Sequence, residues 1–492
     1  MNKIRNSIRD HLSLGVLSFF IILTAITSVG YHQPDEFFQM LEFCSYLLGQ
    51  TGSDTLAWEY EAHIRPSIQV WLAYIVSKPL SLICINPFIQ TIIFRLLTAI
   101  LSIFTFWQAF LYIKKTFPSL RGYALLIPFC VWFFPYIAVR YNSETWSACL
   151  FFTGLFYFLN NKENTSKAVF IIVGLLHGLS FLFRFQTGFM ILSFSLWMIF
   201  NFKKSIRIHL VYYFLLLTIC IFFIGVLLDY FFYQEFTFTP WNYFKVNIMQ
   251  DKASKFGVEA WYYYFLQLPK KSFYPIGVFI FVSIYMFLTQ KRNHPISWVL
   301  SVFILVHILI PHKEERFLFP IIYTLPITIA YFIQRYHLWK RKVIIVLFVS
   351  LNVCFMSYVL TRVARIESVM QKSFYMADKA NSLFLYNTSS PFPLYHIYGN
   401  STTFYHQNKK RIEERKVDDF EDIRKERLPK NIKTLFIQTL DPQAFENNPF
   451  LKKRCKSIYQ VLPQWVTTFG LGFQYIAETD RIHGFYACDC HE

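Results

Sequence analysis

The sequence predicts an all-α polytopic membrane protein that carries a small α/β domain at its C-terminal end. Of its 492 residues, 54% are hydrophobic and only 16% are charged. Apolar runs of about 20 residues, the length that crosses a bilayer core, recur along the chain. We expect about eleven membrane-spanning helices, with a range of about 9–13. They are predicted at 12–30, 88–113, 123–139, 144–160, 168–183, 186–201, 210–231, 272–290, 296–311, 317–334 and 343–361.

The basic residues predict which loops face the cytoplasm. Six short loops carry 17 Lys and Arg residues against two acids, Asp10 and Glu163. The positive-inside rule makes these loops cytoplasmic. Because the net charge of +18 is spread loop by loop, it does not form the contiguous surface that a nucleic acid needs. The outer, lumenal or extracytoplasmic face then receives 31–87, 232–271, a short turn at His312–Arg316, and 362–492.

A change in composition at residue 362 divides the chain into two predicted domains. Residues 1–361 form the transmembrane domain, and 362–492 form a soluble domain with strand-like runs at Thr434–Leu440 and Ser457–Leu462. Cysteines predicted outside the membrane leave room for one disulfide among Cys44, Cys455, Cys488 and Cys490.

The first outer loop contains a second apolar stretch, Pro66–Asn86. Lys78-Pro79 is expected to break this stretch, because proline removes a helical hydrogen bond. If the stretch spanned the membrane, the basic loop with Lys114, Lys115 and Arg121 would lie on the outer face, against the positive-inside rule. We therefore predict a re-entrant or interfacial helix here.

An acid-rich stretch follows the first predicted membrane helix. Residues 31–65 contain six acids and one Arg in a chain that is otherwise basic. Carboxylates at a membrane surface are costly to desolvate and therefore indicate a function. Asp35 and Glu36 are the leading candidates for a general base, because they follow the turn-forming Pro34 close to the membrane edge. The structural alternative, a solvated acidic loop, is the commoner role for any single acid.

Three outer segments concentrate polar and aromatic side chains. The first covers 32–36, 58–60 and 63–66, the second covers 240–247 and 261–264, and the third covers 311–320. Group transfer at a bilayer surface needs a base, flat aromatic faces for a sugar ring and cations for a leaving phosphate. The sequence therefore predicts that the segments converge, although the Trp residues can instead be interface anchors and the cations can pair with Glu314 and Glu315. Besides the two acids, the candidates are His32, Trp58, Glu59, Arg65, Trp241, Asn242, Trp261, His312, Lys313 and Arg316.

These motifs resemble glycosyltransferase family 22, the dolichyl-phosphate-mannose-dependent mannosyltransferases. His32-Gln33-Pro34-Asp35-Glu36-Phe37-Phe38-Gln39 is similar to the first lumenal loop of that family, and His312-Lys313-Glu314-Glu315-Arg316-Phe317 is similar to its His-Lys-Glu-x-Arg-Phe signature. Trp241-Asn242-Tyr243-Phe244 and Trp261-Tyr262-Tyr263-Tyr264 resemble motifs of the branch that acts on GPI precursors. The motifs occur in the family's order.

The resemblance implies a GT-C fold and inverting transfer of mannose from a polyprenyl (dolichyl) phosphate mannose donor to a lipid-linked glycan acceptor such as a GPI precursor. Asp35 would be the catalytic base, and Glu36 would orient the site. The donor phosphate would be bound by His312, Lys313, Arg316 and Arg65. Substrate or acceptor contacts would come from His32, Trp58, Glu59, Trp241, Asn242 and Trp261.

The resemblance implies no metal and no cofactor. It places a eukaryotic protein in the endoplasmic reticulum membrane and a bacterial one in the inner membrane, with the site on the lumenal or extracytoplasmic face. Three alternatives stay open. The chain could transfer another polyprenyl-phosphate sugar to a bacterial envelope glycan, or it could be a non-catalytic scaffold that tolerates loss of Asp35. It could also be a lipid or solute transporter, although transporters place their charged sites near the bilayer midplane.

Overall fold

The computed structural model describes most of the first 361 residues and several short segments after them. Two compact units are formed. The first contains Met1–Thr27, Ala57–Ser77 and Thr91–Thr361; the second contains Ser28–Leu56, Lys78–Gln90 and Arg362–Glu492. The described residues are 2–28, 33, 35–83, 86–120, 131–163, 166–202, 207–361, 382–386, 404, 413–416, 434–439, 448–460 and 484–489.

Helices account for most of the described chain up to residue 361, and the longer ones follow the predicted apolar runs. The α-helices are Asn2–Thr27, Glu42–Leu47, Trp58–Glu61, Ile68–Leu82, Pro87–Thr116, Phe134–Ile137, Ser143–Asn160, Lys167–Phe183, Thr187–Asn201, Leu210–Thr218, Val226–Tyr233, Thr239–Phe244, Tyr263–Lys271, Tyr274–Gln290, Pro295–Leu309, Leu325–Arg335 and Lys342–Thr361. The π-helical segments are Glu36–Leu41, Ile219–Gly225 and Lys245–Met249. The 3₁₀ segments are Ser53–Thr55, Pro118–Leu120, Ala253–Phe256, Glu315–Thr324 and Leu338–Lys340.

Three helices among the described residues are long and apolar enough to cross a membrane: Pro87–Thr116, Leu210–Tyr233 and Glu315–Arg335. A fourth span results if Tyr274–Gln290 and Pro295–Leu309, which meet at 120°, are taken together. Shorter apolar helices occur at Leu14–Thr27, Lys167–Phe183, Thr187–Asn201 and Ile345–Met356. The chain is therefore a mostly helical protein with several membrane-compatible helices.

Some local predictions differ from the structure. The predicted break at Lys78-Pro79 is wrong, because the helix Ile68–Leu82 continues through Pro79. Pro79 stands only three residues before the helix end, so the hydrogen bond that it removes is one of the last in the helix. Within the described part of the predicted 123–139 helix, which begins at Val131, the short segment Phe134–Ile137 is helical.

Aromatic rings fill much of the core of the first unit. The rings of Phe106 and Phe134 meet edge to face with centroids 4.1 Å apart. Tyr323 packs against Phe106 at 5.7 Å and against Phe152 at 6.3 Å. Such pairs add about 0.5–1.5 kcal/mol each beyond the buried area. The 57 Phe residues of this sequence therefore serve partly as core packing.

Two glycines bring a pair of helices into close contact. A Cβ atom on Gly174 would lie 2.5 Å from the Tyr213 carbonyl oxygen, and one on Gly178 would lie 2.6 Å from the Cβ of Cys220. Both glycines belong to Lys167–Phe183, four residues apart on the same face. Small residues at this spacing let helix backbones approach within a membrane.

The second unit contains a five-stranded mixed sheet. Its strands are β1 (Ser382–Tyr386), β2 (Glu413–Lys416), β3 (Thr434–Thr439), β4 (Cys455–Gln460) and β5 (Gly484–Asp489), in the order β2-β1-β3-β5-β4. β1 pairs in parallel with β2 and β3, whereas β5 is antiparallel to β3 and β4. The helix Pro449–Arg454 precedes β4. Strands near 434 and 457 are confirmed, and Cys455, which is opposite Cys488 in register, is disulfide-bonded.

Candidate active site

The acid-rich stretch after the first helix forms a wide helical turn. Asp35 immediately precedes the π-helix Glu36–Leu41, which continues directly into the α-helix Glu42–Leu47. π-helical turns occur frequently at functional sites. Asp35 is half-buried, whereas Glu36 is 8% exposed. Asp35 is therefore the more accessible of the two predicted catalytic acids. His32, which was predicted to contact the substrate or acceptor, lies outside the described residues.

A third acid of this stretch, Glu42, is held in a neutral state. Its side chain is buried, and its Oε1 accepts a hydrogen bond from the Phe404 backbone N–H at 2.9 Å. Burial raises the pKa of Glu42 to about 8, although the Phe404 hydrogen bond opposes that rise. Glu42 thus links the acid-rich stretch to the C-terminal segment within the second unit.

We expect the stability of the second unit to fall as pH rises from about 4.5 to about 8, because only the unfolded chain ionises Glu42 in that range. The change is on the order of 1.4 kcal/mol per pH unit. Glu42→Gln, which stays neutral, should remove this slope. The slope is measured by hydrogen exchange at the Phe404 amide as a function of pH. Glu61→Gln is the control, because the Glu61 side chain is exposed. An equal slope in the Glu42 variant would contradict the assignment.

The predicted cationic turn lies in the first unit, between Pro295–Leu309 and the 3₁₀ segment Glu315–Thr324. Arg316 Nε lies 2.7 Å from Glu314 Oε2 and 3.7 Å from Glu144 Oε1. Arg184 Nη1 lies 2.9 Å from the same Glu144 oxygen. Glu144 is 2% exposed, so one buried carboxylate holds two guanidinium groups together. The backbone N–H of Thr145 donates to Asn142, which caps this helix and fixes Glu144 in its first turn.

The other two basic residues of the turn, Lys313 and His312, contact the loop that precedes Trp261. Lys313 Nζ donates to the carbonyls of Glu259 at 3.0 Å and Ile310 at 2.6 Å. Burial lowers the pKa of Lys313, while the Glu259 carboxylate acts in the opposite direction. His312 contacts the Gly257 carbonyl through Nδ1 at 2.8 Å and Glu314 Oε1 through Nε2 at 3.1 Å. The second and third predicted segments therefore meet.

The same loop also reaches the first predicted segment. The Trp58 and Phe256 rings are stacked with centroids 6.0 Å apart, and Lys252 Nζ lies 4.9 Å from the Trp58 centroid. Phe256 also contacts His312, at 6.3 Å between ring centroids. Trp58, the 252–259 loop and the cationic turn are thus adjacent within the first unit. Asp35 and Glu36 belong to the second unit, and their approach to this cluster stays a prediction.

A buried carboxylate, Asp229, fixes the rest of the first segment. Its Oδ1 accepts from the Ser67 backbone N–H at 2.8 Å and the Ser67 hydroxyl at 2.7 Å, and its Oδ2 accepts from the Thr239 hydroxyl at 2.6 Å. Nearby, the Tyr233 hydroxyl donates to the Arg65 carbonyl at 2.7 Å. The Arg65 guanidinium lies 3.5 Å from Glu59, so these two predicted binding residues form an ion pair.

We expect Asp229→Asn to lower the free energy of unfolding by about 1–3 kcal/mol, because an amide cannot accept all three hydrogen bonds. Hydrogen exchange at the Ser67 amide should become faster. Asp251→Asn is the matched control, since that residue is exposed in the following loop. Unchanged exchange at Ser67 would show that Asp229 does not hold this loop.

The remaining predicted residues lie on the second segment. Asn242 Nδ2 donates to the His63 carbonyl at 3.2 Å, which adds a contact between the first and second segments. Trp241 is 53% exposed and Trp261 is 65% exposed. Rings so exposed fit either the predicted role in substrate contact or the alternative of interface anchors.

The sequence analysis did not identify Glu144 and Asp229 as partners of the candidate residues. The signal was present, because a lone acid within or beside an apolar helix usually has a buried partner. Both acids lie within helices that the sequence predicted, at 144–160 and 210–231, and that the structure contains. Their partners are distant in sequence, so the pairing itself needed the structure.

Comparisons with known proteins agree with the motifs. Among curated relatives, GPI alpha-1,2-mannosyltransferase 3 of Homo sapiens is 22% identical over 345 residues, covering 69% of this chain and 59% of the relative. GPI mannosyltransferase 3 of Drosophila melanogaster is 25% identical, covering 63% and 53%. The chain thus spans less than two thirds of the length of these relatives.

The fold has a counterpart among solved structures, and the sequence matches one family profile. ArnT from Cupriavidus metallidurans bound to undecaprenyl phosphate aligns over 97% of this chain and 98% of its own, with a TM-score of 0.52 and 12% identity. At this identity the likeness concerns the fold alone. The profile described as the Alg9-like mannosyltransferase family matches residues 14–399. The predicted resemblance is confirmed, and the chain belongs to the Alg9-like mannosyltransferase family.

Proposed function

We propose that this protein is an inverting α-mannosyltransferase that moves mannose from a polyprenyl-phosphate mannose, such as the dolichyl form, to a lipid-linked mannosyl glycan. The observation that carries the proposal is the cluster of His312, Arg316 and Arg184 around Glu144 and Glu314, in a chain of this family. The names of the relatives support a GPI-type acceptor.

The transfer breaks one C–O bond and forms another. Asp35 would accept the proton of an acceptor hydroxyl while that oxygen attacks the anomeric carbon of mannose. The bond from this carbon to the phosphate oxygen breaks, and its electron pair leaves with the polyprenyl phosphate. His312 and Arg316 would stabilise the negative charge that develops there. Attack opposite the phosphate converts a β-linked donor into an α-mannoside.

Donor binding would require a change of partners in the cationic turn. Arg316 and His312 both contact the Glu314 carboxylate, which is 25% exposed, whereas Glu144 is buried. The more accessible carboxylate is the easier one to displace. We propose that the donor phosphate replaces Glu314 beside Arg316 while Glu144 keeps the guanidinium oriented. Lys313 would shape the site from its carbonyl contacts, and Arg65 would assist from its pair with Glu59.

The proposed location is the endoplasmic reticulum membrane, with the site on the lumenal face. The disulfide-bonded Cys455 supports placing the C-terminal segment in an oxidising compartment. The names of the relatives support the same assignment, because they act in GPI synthesis. The predicted count of about eleven spans belongs to this proposal.

The test is mannose transfer by the purified protein in lipid nanodiscs. Dolichyl-phosphate mannose is supplied with lipid-linked acceptors that differ in their number of mannoses, and mass spectrometry with an α-specific mannosidase identifies the product. We expect an α-mannoside on one acceptor of the series. No transfer to any acceptor by folded protein, or a product resistant to the α-mannosidase, would reject the proposal and revive the transporter and scaffold alternatives.

A further inference from the structure

A cavity of about 510 Å³ lies at the end of the first unit remote from the cationic turn. It is formed where Pro87–Thr116 and Leu325–Arg335 end and where Pro295–Leu309 begins. The last of these helices has 15 residues and leads to the His312 turn at its other end. At 1.5 Å per residue, it separates the cavity from that turn by about 22 Å. The cavity is therefore not part of the candidate active site.

The lining of this cavity is cationic and rich in hydrogen-bond donors. Among the described residues that line it there are two permanent cations and no carboxylate. Lys162 lies close enough for its charge to act on His294, and Glu163, the next residue in sequence, is paired with Lys115 at 3.0 Å. Such a pocket attracts anions and has no internal counter-ion for its own cations. The lining residues are Tyr112, Thr116, Phe117, Phe287, Lys291, His294, Tyr331, Gln334, Arg335 and His337.

The hydrogen bonds leave a directed donor in the cavity wall. The backbone N–H of Ile296 donates to His294 Nδ1 at 3.2 Å, so a neutral His294 carries its proton on Nε2. Burial, with the charges of Lys162 and Lys291, lowers the pKa of His294 to about 3, and the ring is therefore neutral. Nε2 lies 2.8 Å from the Tyr112 hydroxyl and donates to it. The Thr116 side chain also hydrogen-bonds the Tyr112 hydroxyl. With His294 and Thr116 both donating to its oxygen, the Tyr112 hydroxyl keeps its own proton to donate.

We propose that this cavity binds a phosphate-bearing anion through Lys291 and Arg335, with the Tyr112 hydroxyl as a neutral donor. Lys291 Nζ lies 5.4 Å from the Tyr331 ring centroid, which positions its charge at the cavity wall. The volume exceeds what a bare phosphate needs and suits a phosphate carried on a polyol or sugar. Two sources supply this chemistry, a lipid headgroup and a soluble phosphate ester.

The surroundings of the cavity favour a lipid. Tyr285 and Tyr336, which flank it, are 67% and 49% exposed, and Val343 on the following helix is 71% exposed. Apolar side chains of this kind would lie against acyl chains if the bilayer surrounds these helices. Basic pockets between helices on the face with the basic loops are recurrent sites for anionic headgroups. The proposal is independent of the proposed transferase activity.

The test is native mass spectrometry of the whole protein, released from phosphatidylcholine nanodiscs that contain or lack phosphatidylinositol. Inositol phosphate, added to the protein in solution, is the soluble probe. Lys291→Met combined with Arg335→Gln should weaken binding of whichever probe the wild type binds by about tenfold or more, because charge-assisted contacts are lost. Tyr112→Phe should weaken it by about threefold to tenfold. Arg292→Gln is the matched control, since its Nε donates to the Thr289 carbonyl and it does not line the cavity.

Retention of phosphatidylinositol alone identifies a lipid headgroup site, and equal affinity for inositol phosphate identifies a soluble ligand. Either result supports a phosphate site, provided that the double variant loses binding and Arg292→Gln does not. If the control variant and the double variant lose affinity equally, the effect comes from the protein's net charge and the proposal is overturned. Absence of binding by both probes to the folded wild type would overturn it as well.

Discussion

Asp35→Asn should reduce the rate of mannose transfer by about 10²–10⁴-fold, because general-base catalysis contributes a factor of that size. The substitution keeps the shape of the side chain at the start of the π-helix and removes its basicity. Single-turnover transfer in nanodiscs, with the donor bound beforehand, isolates the chemical step. Binding of the donor should change little, since Asp35 is assigned to the acceptor hydroxyl.

The control for this experiment is Asp54→Asn, the same chemical change at an exposed acid in the same outer loop. It should transfer mannose at the wild-type rate. Equal rates for wild type and Asp35→Asn would remove Asp35 from the mechanism and direct attention to Glu36. If the Asp35→Asn protein loses both transfer and its folded state, Asp35→Glu replaces it as the test variant. Asp35→Glu keeps a carboxylate and should retain measurable activity.

Glu144→Gln should lower the free energy of unfolding by about 3–5 kcal/mol. The reason is that Arg184, whose Nη1 lies 2.9 Å from Glu144, would lose the carboxylate that compensates its buried charge, while Arg316 would keep Glu314 alone. Reversible unfolding in detergent micelles measures the change. Glu163→Gln is the control, because that side chain is 83% exposed and its pair with Lys115 is a surface pair worth at most about 1 kcal/mol.

A double-mutant cycle separates this network from a general packing effect. In the double variant, Arg184→Met removes the positive charge that Glu144→Gln alone would leave uncompensated. Methionine also keeps a long, unbranched side chain at that position. We expect the double variant to be more stable than the sum of the two single changes predicts, by about 1–3 kcal/mol. Strict additivity would mean that the two residues do not interact in solution.

The sequence predicted the helices well where apolar runs were long, because burial in lipid or core leaves few alternatives for such segments. It failed where the backbone depends on tertiary contacts. The run predicted as one helix over 317–334 is a 3₁₀ segment up to Thr324 and an α-helix from Leu325. Pro320 and Pro326 are compatible with this change of helix type. The spacing of apolar residues in this run does not distinguish a 3₁₀-helix from an α-helix.

The candidate site was predictable in its parts and not in its connections. The sequence predicted a turn from His312 to Arg316, and the structure has a turn between Pro295–Leu309 and Glu315–Thr324, while its role in donor binding stays a prediction. Its partner Glu144 lies more than 160 residues away in sequence, so the charge balance of the turn was not visible. Lys313 illustrates the same limit, because its ammonium group contacts backbone carbonyls, which no side-chain motif reveals.

If the proposed spans cross the bilayer, the shortness of two of these helices has a consequence for the surrounding lipid. Thr187–Asn201 and Pro295–Leu309 have 15 residues each, about 22 Å of helix, whereas an average hydrocarbon core is about 30 Å thick. Hydrophobic mismatch of this sign is relieved when the bilayer thins beside the protein. The membrane of the endoplasmic reticulum, at about 27 Å, requires the smaller deformation. Thinning there would bring lipid phosphates closer to the cationic turn, so the protein would shorten the path of its own donor.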